Sequence, residues 1–196
     1  KETYIEGIRD ISPMDIKFAN ELGYSIKHIG ITKESNNSVE SRVHPMLVPK
    51  ENILSQVHDV MNAVLIKGER FGSSMLYGHG AGGDATASAV VANLVEAINF
   101  HQGTDRTNQK ISESIGTQNK KIKKIDEIET PFYLRIHAED VPGVMAEITN
   151  ILAKENISIE AVTQHETEAS DSLIPIVMIT NSVLGSSINK AIEKIR

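Results

Sequence analysis

The sequence of 196 residues contains no cysteine, which excludes several chemistries at once. Without a thiol the protein has no disulfide, no thiolate nucleophile and no cysteine-based zinc site. Its seven histidines show neither the H-E-x-x-H nor the H-x-x-E-H spacing, so we predict no metal site.

Positive charge is scarce as well. Lysine and arginine number 20 against 26 aspartates and glutamates, a formal net charge of −6. The sequence therefore lacks the basic footprint of a protein that binds nucleic acid or an anionic membrane surface. No apolar run approaches the roughly 20 residues that span a bilayer, and the opening KETYIEG lacks the apolar segment of a signal peptide. We expect a cytoplasmic protein with neither a nucleic-acid nor a membrane partner.

One polar stretch divides the chain. Residues 104–130 keep only scattered isoleucines among polar and charged residues, and we interpret them as a linker with room for one exposed strand or helix. Two small domains are expected on either side, over residues 1–103 and 131–196.

The first helix of residues 1–103 carries strong boundary signals. It follows a predicted strand, TYIEGIRDI, in which apolar and polar residues alternate. The segment SPMDIKFANELG then provides an N-cap, a first-turn proline, a capping-box partner and a terminating glycine, namely Ser12, Pro13, Asp15 and Gly23. Helical spacing places Met14, Phe18 and Leu22 on one face.

The rest of residues 1–103 is predicted to alternate between strands and helices. Strands are expected at SIKHIGIT and SVESRVHPML, with ESNN as their turn, and two further strands flank a turn at Gly68. Helices are expected at about residues 85–99 and where five apolar residues recur: Ile53, Leu54, Val57, Val60 and Met61. The region is therefore an α+β unit with a mixed sheet.

Residues 131–196 follow the order βαββα. The strands are PFYLRIHAE, ISIEAVTQHE and SLIPIVMIT, and the helices are VPGVMAEITNILAKEN and LGSSINKAIEKI, the second with Ile188, Ile192 and Ile195 on one face. This is one strand short of a ferredoxin-like βαββαβ unit, and the missing strand is expected beyond Arg196.

Within this unit, AEDVPGVMAEITNILAKENISIEAV resembles the ACT domain, a regulatory module that binds small molecules. The resemblance implies an amino-acid effector, with threonine the first candidate, in a site between two paired copies. The candidate effector residues lie at the turn into the first helix and at its exit: Asp140, Pro142, Gly143, Val144 and Asn156. The alternative is that this copy keeps the fold for assembly alone.

Residues 4–99 resemble the C-terminal part of the catalytic region of homoserine dehydrogenases that carry an ACT domain. The matching stretches are YIEGIRDISPMDIKFANELGYSIKHIGI, VESRVHPML, NAVLIKGERFGSSMLYGHGAGG and TASAVVANLVEAI. The resemblance implies interconversion of homoserine and aspartate semialdehyde with NADP or NAD, and a homodimer or higher homo-oligomer.

The glycine-rich segment YGHGAGGDATASAVV precedes a predicted helix. Glycine lets a backbone approach a ring or phosphate closely, and a helix N-terminus favours negative charge. The resemblance implies a cofactor-binding loop, with the candidates Gly78, His79, Gly80, Ala81, Gly82 and Thr86. The alternative is a tight turn without a ligand. His44, in RVHPML, is a candidate for the wall of the substrate cleft or a structural histidine.

The family's nucleotide-binding domain and its segment of catalytic aspartates and lysine do not occur in this sequence. We therefore expect the catalytic groups to lie elsewhere in a longer protein, and this chain by itself to be inactive. A different class of protein remains open, a stand-alone amino-acid sensor in which residues 1–103 only support assembly.

Overall fold

The structure is a computed structural model that describes residues 3–35, 37–102, 120–164 and 173–196. Contacts divide the chain into a first unit, residues 1–49 with 120–196, and a second unit, residues 50–119. The helices of both units, in chain order, are α1 Pro13–Glu21, α2 Gly83–His101, α3 Val144–Lys154 and α4 Gly185–Ile195. The strands are β1 Tyr4–Ile5, β2 Tyr24–Ser35, β3 Ser38–Pro49, β4 Met61–Gly68, β5 Gly72–His79, β6 Lys121–Ile122, β7 Glu129–Thr130, β8 Tyr133–Glu139, β9 Ile159–Gln164, β10 Leu173–Thr180 and β11 Val183–Leu184.

A mixed sheet in the first unit is built on the long hairpin of β2 and β3. The two strands pair antiparallel over their whole length, from Tyr24 opposite Pro49 to Ser35 opposite Ser38. Strands β1 and β6 both run parallel to β3. The mixed sheet expected of this region is therefore confirmed, and it includes residues from the predicted linker.

The second sheet of the first unit has the order β8-β10-β9, with both neighbouring pairs antiparallel. Together with α3 and α4 it forms the predicted βαββα unit. Its core holds side chains from both helices and from the sheet: Leu134, Ile148, Leu152, Ile157, Ile176, Met178, Ile188 and Ala191. Ile192 and Ile195 pack against this core, which confirms the predicted apolar face of α4.

Strand β10 is buried along both of its faces. Residues 174–180 are all less than a tenth exposed, although successive side chains of a strand point to opposite sides of the sheet. Ile176 and Met178 face the core of the α3 and α4 side. Val177 and Ile179 face the other side, in register with Arg135 and Tyr133 of β8.

Helix α1 meets this second face through the buried carboxylate of Asp15, which is 2% exposed. Its Oδ1 accepts a hydrogen bond of 2.6 Å from the Tyr133 hydroxyl, and its Oδ2 pairs with the Arg135 guanidinium. Oδ2 also accepts 2.7 Å hydrogen bonds from the backbone N–H and the hydroxyl of Ser12. One carboxylate thus closes the capping box of α1 and binds two residues of β8.

The sequence signals of α1 are confirmed, and of the three apolar residues that helical spacing places on one face, only Phe18 is buried. Ser12 is the N-cap and Gly23 follows the helix with a φ of 84°. The buried side chains are Asp15, Phe18 and Ala19, whereas Met14 is 42% exposed. Hydrogen-bond donors on β8 determine which face of α1 is buried. The spacing of apolar residues within the helix does not reveal these donors.

The second unit contains the hairpin of β4 and β5, a short 3-10 helix Ile53–Gln56, and α2. The two predicted strands are confirmed, with their turn between Gly68 and Gly72. Within the part of the chain that is described, no residue of α2 is buried. Exposed apolar side chains therefore lie along it: Val90, Val91, Leu94, Val95, Ile98 and Phe100.

Two sequence predictions of elements are wrong. The strand expected at TYIEGIRDI pairs with β3 only at Tyr4 and Ile5, and a turn closed by the Ile11 N–H on the Ile8 carbonyl follows. The helix expected over residues 53–61 is one 3-10 turn, after which Met61 already belongs to β4. Of the predicted linker, residues 104–119 lie outside the described residues, and residues 120–130 contain β6 and β7.

We predict that Asp15→Asn lowers the free energy of unfolding by about 2–4 kcal/mol at neutral pH, because it leaves the Arg135 charge without its partner. Burial acts to raise the pKa of Asp15, but hydrogen bonds from Tyr133 and Ser12 and the Arg135 charge outweigh it and hold that pKa below its usual value. A carboxyl group whose pKa is lowered by folding stabilises the fold at pH values above its unfolded pKa of about 4. This stabilisation is lost as the pH falls through the folded pKa.

The measurement is urea unfolding of the chain, followed by circular dichroism, at several pH values. The difference in the free energy of unfolding between wild type and Asp15→Asn is expected to be largest at pH 7 and to shrink below about pH 4. Asp10→Asn, an exposed aspartate in the same unit, is the control. A difference that stays constant down to pH 2 would show that the carboxylate's charge contributes nothing.

Candidate functional site

The glycine loop lies in the second unit, between β5 and α2. Gly78 and His79 still belong to β5, where they pair with Asn62 and Met61 of β4. Gly82 is the N-cap of α2 with a φ of 120°, a conformation that favours glycine. The loop thus connects a strand to a helix, and all its candidate residues, Thr86 included, are exposed.

Packing within the chain favours glycine at position 80. A Cβ at this position would lie 1.4 Å from Nδ2 of Asn62 and 3.1 Å from its Cβ. The Gly80 N–H donates to the Val60 carbonyl at 2.8 Å, which fixes the backbone against β4. A side chain at residue 80 requires Asn62 to move, so packing alone explains this glycine.

The other glycines of the loop border open space. A Cβ at Gly78, Gly82 or Gly83 would have no atom of the chain within 4 Å. No side chain caps the first N–H groups of α2, which leaves them available to an incoming acceptor. Asp84 in the first turn adds negative charge, which favours a neutral polar group over a bare phosphate there.

His44 lies on β3 in the first unit. Its Nδ1 is 2.8 Å from the Pro45 carbonyl oxygen, and because a carbonyl only accepts, Nδ1 carries the proton of this bond. In the neutral ring Nε2 is then an acceptor, and it is buried without a hydrogen-bond partner among the described residues. Burial lowers the pKa of His44, the Pro45 carbonyl opposes this, and the Arg42 charge lowers the pKa further.

The residues around His44 come from three strands. The Tyr4 ring of β1 meets the His44 ring edge-on, with centroids 6.0 Å apart. The Tyr4 hydroxyl donates to Glu6 at 2.8 Å, and burial followed by this bond raises the pKa of Tyr4 to about 12. His28 of β2 contacts the Glu6 carbonyl at 3.1 Å. Sequence patterns did not indicate Tyr4 and His28, because β-sheet pairing places them beside a residue about 16 to 40 positions away.

The candidate effector turn joins β8 to α3. Asp140, Pro142 and Gly143 are exposed, and Gly143 is the N-cap of α3 in the left-handed conformation with a φ of 103°. No side chain caps this helix, and a Cβ at Gly143 would meet no atom within 4 Å. Val144 differs from the other three, because it packs against the core.

Asn156 lies at the opposite end of α3, where it has a structural role in ending the helix. Its φ is 57°, its N–H donates to the Ala153 carbonyl, and the Ile157 N–H donates to the Leu152 carbonyl. This is a Schellman motif, which ends helices with a left-handed residue such as glycine or asparagine. At a rise of about 1.5 Å per residue, the 11 residues of α3 separate Asn156 from Gly143 by roughly 16 Å. Within one chain the structure does not bring Asn156 to the other four candidates.

A groove that the sequence did not indicate runs along β8, with a volume of about 430 Å³. None of the predicted site residues lines it. Its walls are residues 133–137 of β8 and the end of α4: Ile192, Ile195 and Arg196. Among the described residues, β8 pairs only with β10, so its other edge borders this groove.

Across the described ranges, no group of three or more His, Asp or Glu side chains is arranged to hold a metal ion. No helix in those ranges is both long and apolar enough to cross a membrane.

Comparison with family models gives two matches. Residues 1–95 match the model described as homoserine dehydrogenase, and residues 132–196 match the ACT domain. Among curated proteins, the homoserine dehydrogenase of Pseudomonas aeruginosa is 38% identical over 193 residues, 97% of this chain and 44% of that protein. That of Helicobacter pylori is 40% identical over 169 residues, 85% of this chain and 38% of that protein. The chain thus spans less than half the length of these relatives.

Solved structures give the same result. A homoserine dehydrogenase from Thiobacillus denitrificans is 37% identical, with a TM-score of 0.81 over 99% of this chain and 44% of that one. A homoserine dehydrogenase from S. aureus is 25% identical, with a TM-score of 0.62 over 96% of this chain and 44% of that one. With both family models matched in the predicted order, residues 1–95 belong to the homoserine dehydrogenase family and residues 132–196 to the ACT domain.

Proposed function

We propose that the complete protein is a homoserine dehydrogenase of the cytoplasm that interconverts L-homoserine and L-aspartate 4-semialdehyde with NADP or NAD, in the biosynthesis of threonine, methionine and isoleucine. The match of residues 1–95 to the homoserine dehydrogenase model carries this proposal. This match also argues against a sensor without catalysis, because a regulatory module alone has no need of that region.

The second unit fits a nicotinamide cofactor at the glycine loop. The open space over Gly78, Gly82 and Gly83 lets a planar ring or an amide approach the backbone. The uncapped N–H groups of α2 offer donors to its polar edge. When bound, the cofactor supplies the hydride acceptor or donor of the reaction. In this chain the loop would bind and orient it, while the reacting proton would be handled by groups elsewhere in the protein.

The surroundings of His44 suit a wall of the substrate cleft. With Nδ1 held by the Pro45 carbonyl, Nε2 is an acceptor, and because this atom is buried, a substrate hydroxyl or amine reaches it only if a neighbouring side chain moves aside. The lowered pKa keeps the ring neutral near pH 7, so that it accepts rather than donates.

We also propose a homodimer or a higher homo-oligomer. The hairpin of β4 and β5 pairs with no other described strand, and its cross-strand neighbours Val64 and Leu76 are 60% and 61% exposed. Apolar side chains on such a face are typical of a surface covered in assembly.

We predict that Gly83→Ala and Gly78→Ala in the complete protein raise the KM for the nicotinamide cofactor up to about tenfold, equal to about 1.4 kcal/mol of binding, while the protein stays folded. Each added methyl meets no atom of the described residues, so we expect the loss to come from contact with the ligand. Gly80 is unsuitable for this test, because a side chain there displaces Asn62.

The measurement is steady-state kinetics at varied cofactor concentration, with the melting temperature recorded for each variant. Gly30→Ala is the matched control, since its methyl would make an ordinary contact of 3.7 Å with Val43. An unchanged cofactor KM in both loop variants would leave the loop a structural turn.

The ACT domain is proposed to bind threonine and to inhibit the enzyme. Support comes from the turn into α3, where Gly143 leaves open space above uncapped N–H groups that suit a carboxylate. Asp140 is a candidate for the ammonium group. Because Asn156 lies at the other end of α3, it reaches this ligand only if a second copy contributes it.

Asn156→Gly separates the two roles of this residue. Glycine adopts the left-handed conformation at least as readily as asparagine, so the Schellman motif is kept and only the side chain is lost. If Asn156 contacts threonine, the dissociation constant of threonine rises about tenfold in this variant, the equivalent of one lost hydrogen bond. The constant is measured by calorimetric titration of the complete protein.

Asn37→Gly is the control for this substitution. It makes the same exchange at a residue with a φ of 63°, in the turn between β2 and β3. Equal affinities in both variants would assign Asn156 to helix termination alone, whereas absence of binding by wild type would reject the effector itself.

A further inference from the structure

We propose that the cluster of Ser12, Asp15, Tyr133 and Arg135 is the link through which the ACT domain controls the region that matches homoserine dehydrogenase. The proposal rests on the proposed regulation by threonine and adds the residues that transmit it. Three observations carry it: the burial of Asp15 in the cluster, the cluster's hydrogen-bond connections, and its position in the chain.

The four residues join two parts that are far apart in sequence. Tyr133 and Arg135 lie on β8, 118 and 120 residues from Asp15. Arg135 Nη1 also donates to the Ser12 hydroxyl at 2.9 Å, so it binds both the N-cap and the capping-box carboxylate of α1. The first turn of α1 is therefore held by the ACT strand as well as by its own sequence.

The cluster behaves as a rigid connection because the buried Asp15 carboxylate has few other hydrogen-bond donors to turn to. A buried carboxylate without its donors is strongly unfavourable, so a displacement of β8 must carry Asp15 with it or break the cluster. Tyr133 and Arg135 also line the groove beside β8, so whatever occupies or narrows that groove acts directly on them.

From α1 a short path leads to His44. Residues 6–11 connect β1 to Ser12, the Glu6 N–H donates to the Val43 carbonyl at 2.9 Å, and the Tyr4 ring packs on His44. A shift of the first turn of α1 thus reaches the strand pair that holds the candidate cleft residue. The path consists of chain neighbours, one backbone hydrogen bond and one ring contact, a physical network of the kind that can carry coupling between two sites.

A second contact ties the ACT sheet to the same region. The Tyr24 hydroxyl, at the start of β2, donates to Glu160 of β9 at 3.1 Å. This bond is exposed and is worth little by itself. It shows that β8 and β9 are both anchored to the α1–β2 segment, with the buried cluster as the stronger anchor.

The test uses the complete protein with Tyr133→Phe and Arg135→Lys. The first variant removes one donor to Asp15, and the second removes the planar fork that reaches Ser12 and Asp15 together. Threonine is titrated by calorimetry with and without homoserine plus reduced cofactor, a pair that does not react. Linkage requires that threonine and substrate weaken each other's binding by the same factor, typically about 5 to 150-fold in coupled sites.

We expect both variants to bind threonine alone within about threefold of wild type. Homoserine and cofactor weaken threonine binding by a certain factor, and in the variants this factor should be at least fivefold smaller than in wild type, closer to the value of one that means no coupling. The inhibition by saturating threonine should decrease as well. Basal kcat and KM without threonine remain near wild type. Arg70→Lys, an exposed arginine in the β4–β5 turn, is the matched control and should keep the wild-type factor.

Other results would overturn the inference in distinguishable ways. Variants that keep the full wild-type factor would show that coupling runs elsewhere while the proposed regulation stands. Variants that lose threonine binding altogether would assign the cluster to formation of the effector site. A wild-type protein that does not bind threonine would reject the proposed regulation, and this inference with it.

Discussion

The buried carboxylate of Asp15 is the interaction on which the first unit depends. An ionised carboxylate in the interior is tolerated only when donors surround it, and here the donors come from the backbone and hydroxyl of Ser12 and from Tyr133 and Arg135 of β8. The same group therefore terminates a helix and joins it to a sheet. Contacts group residues 1–49 with 120–196, to which the pairing of β6 with β3 also contributes, although the family matches divide the chain at different points.

The glycines of the two candidate sites show three different physical roles. Gly80 is fixed by the Asn62 side chain, Gly82 and Gly143 by a backbone conformation with positive φ, and Gly83 by neither. A glycine that the chain itself does not require is the better sign of a ligand, because something outside the chain must use the space. Composition alone cannot make this distinction, since all four appear as the same letter.

Short-range interactions were predictable from the sequence. The capping box joins Ser12 to Asp15 only three residues away, and the βαββα order follows from apolar periodicity within each segment. The resemblance to homoserine dehydrogenase and to the ACT domain also came from residues that the family matches later covered.

Predictions failed where a distant partner decides the outcome. Asp15 is buried because of donors on β8, and alternation over TYIEGIRDI cannot reveal that β3 pairs with only two of its residues. Asn156 was predicted as an effector contact, and the structure adds a second reason for it, which lies in the backbone conformation after α3.

Native-state hydrogen exchange of the chain measures directly whether Asp15 makes α1 and the ACT sheet one cooperative unit. The amides to follow are those at the end of α1, such as the Leu22 N–H bonded to the Phe18 carbonyl, and those between β8 and β10. We predict that both sets exchange with the same free energy of opening and the same dependence on urea, because one opening exposes them together. Exchange of the α1 amides at a clearly lower free energy, with β8 still protected, would contradict this account.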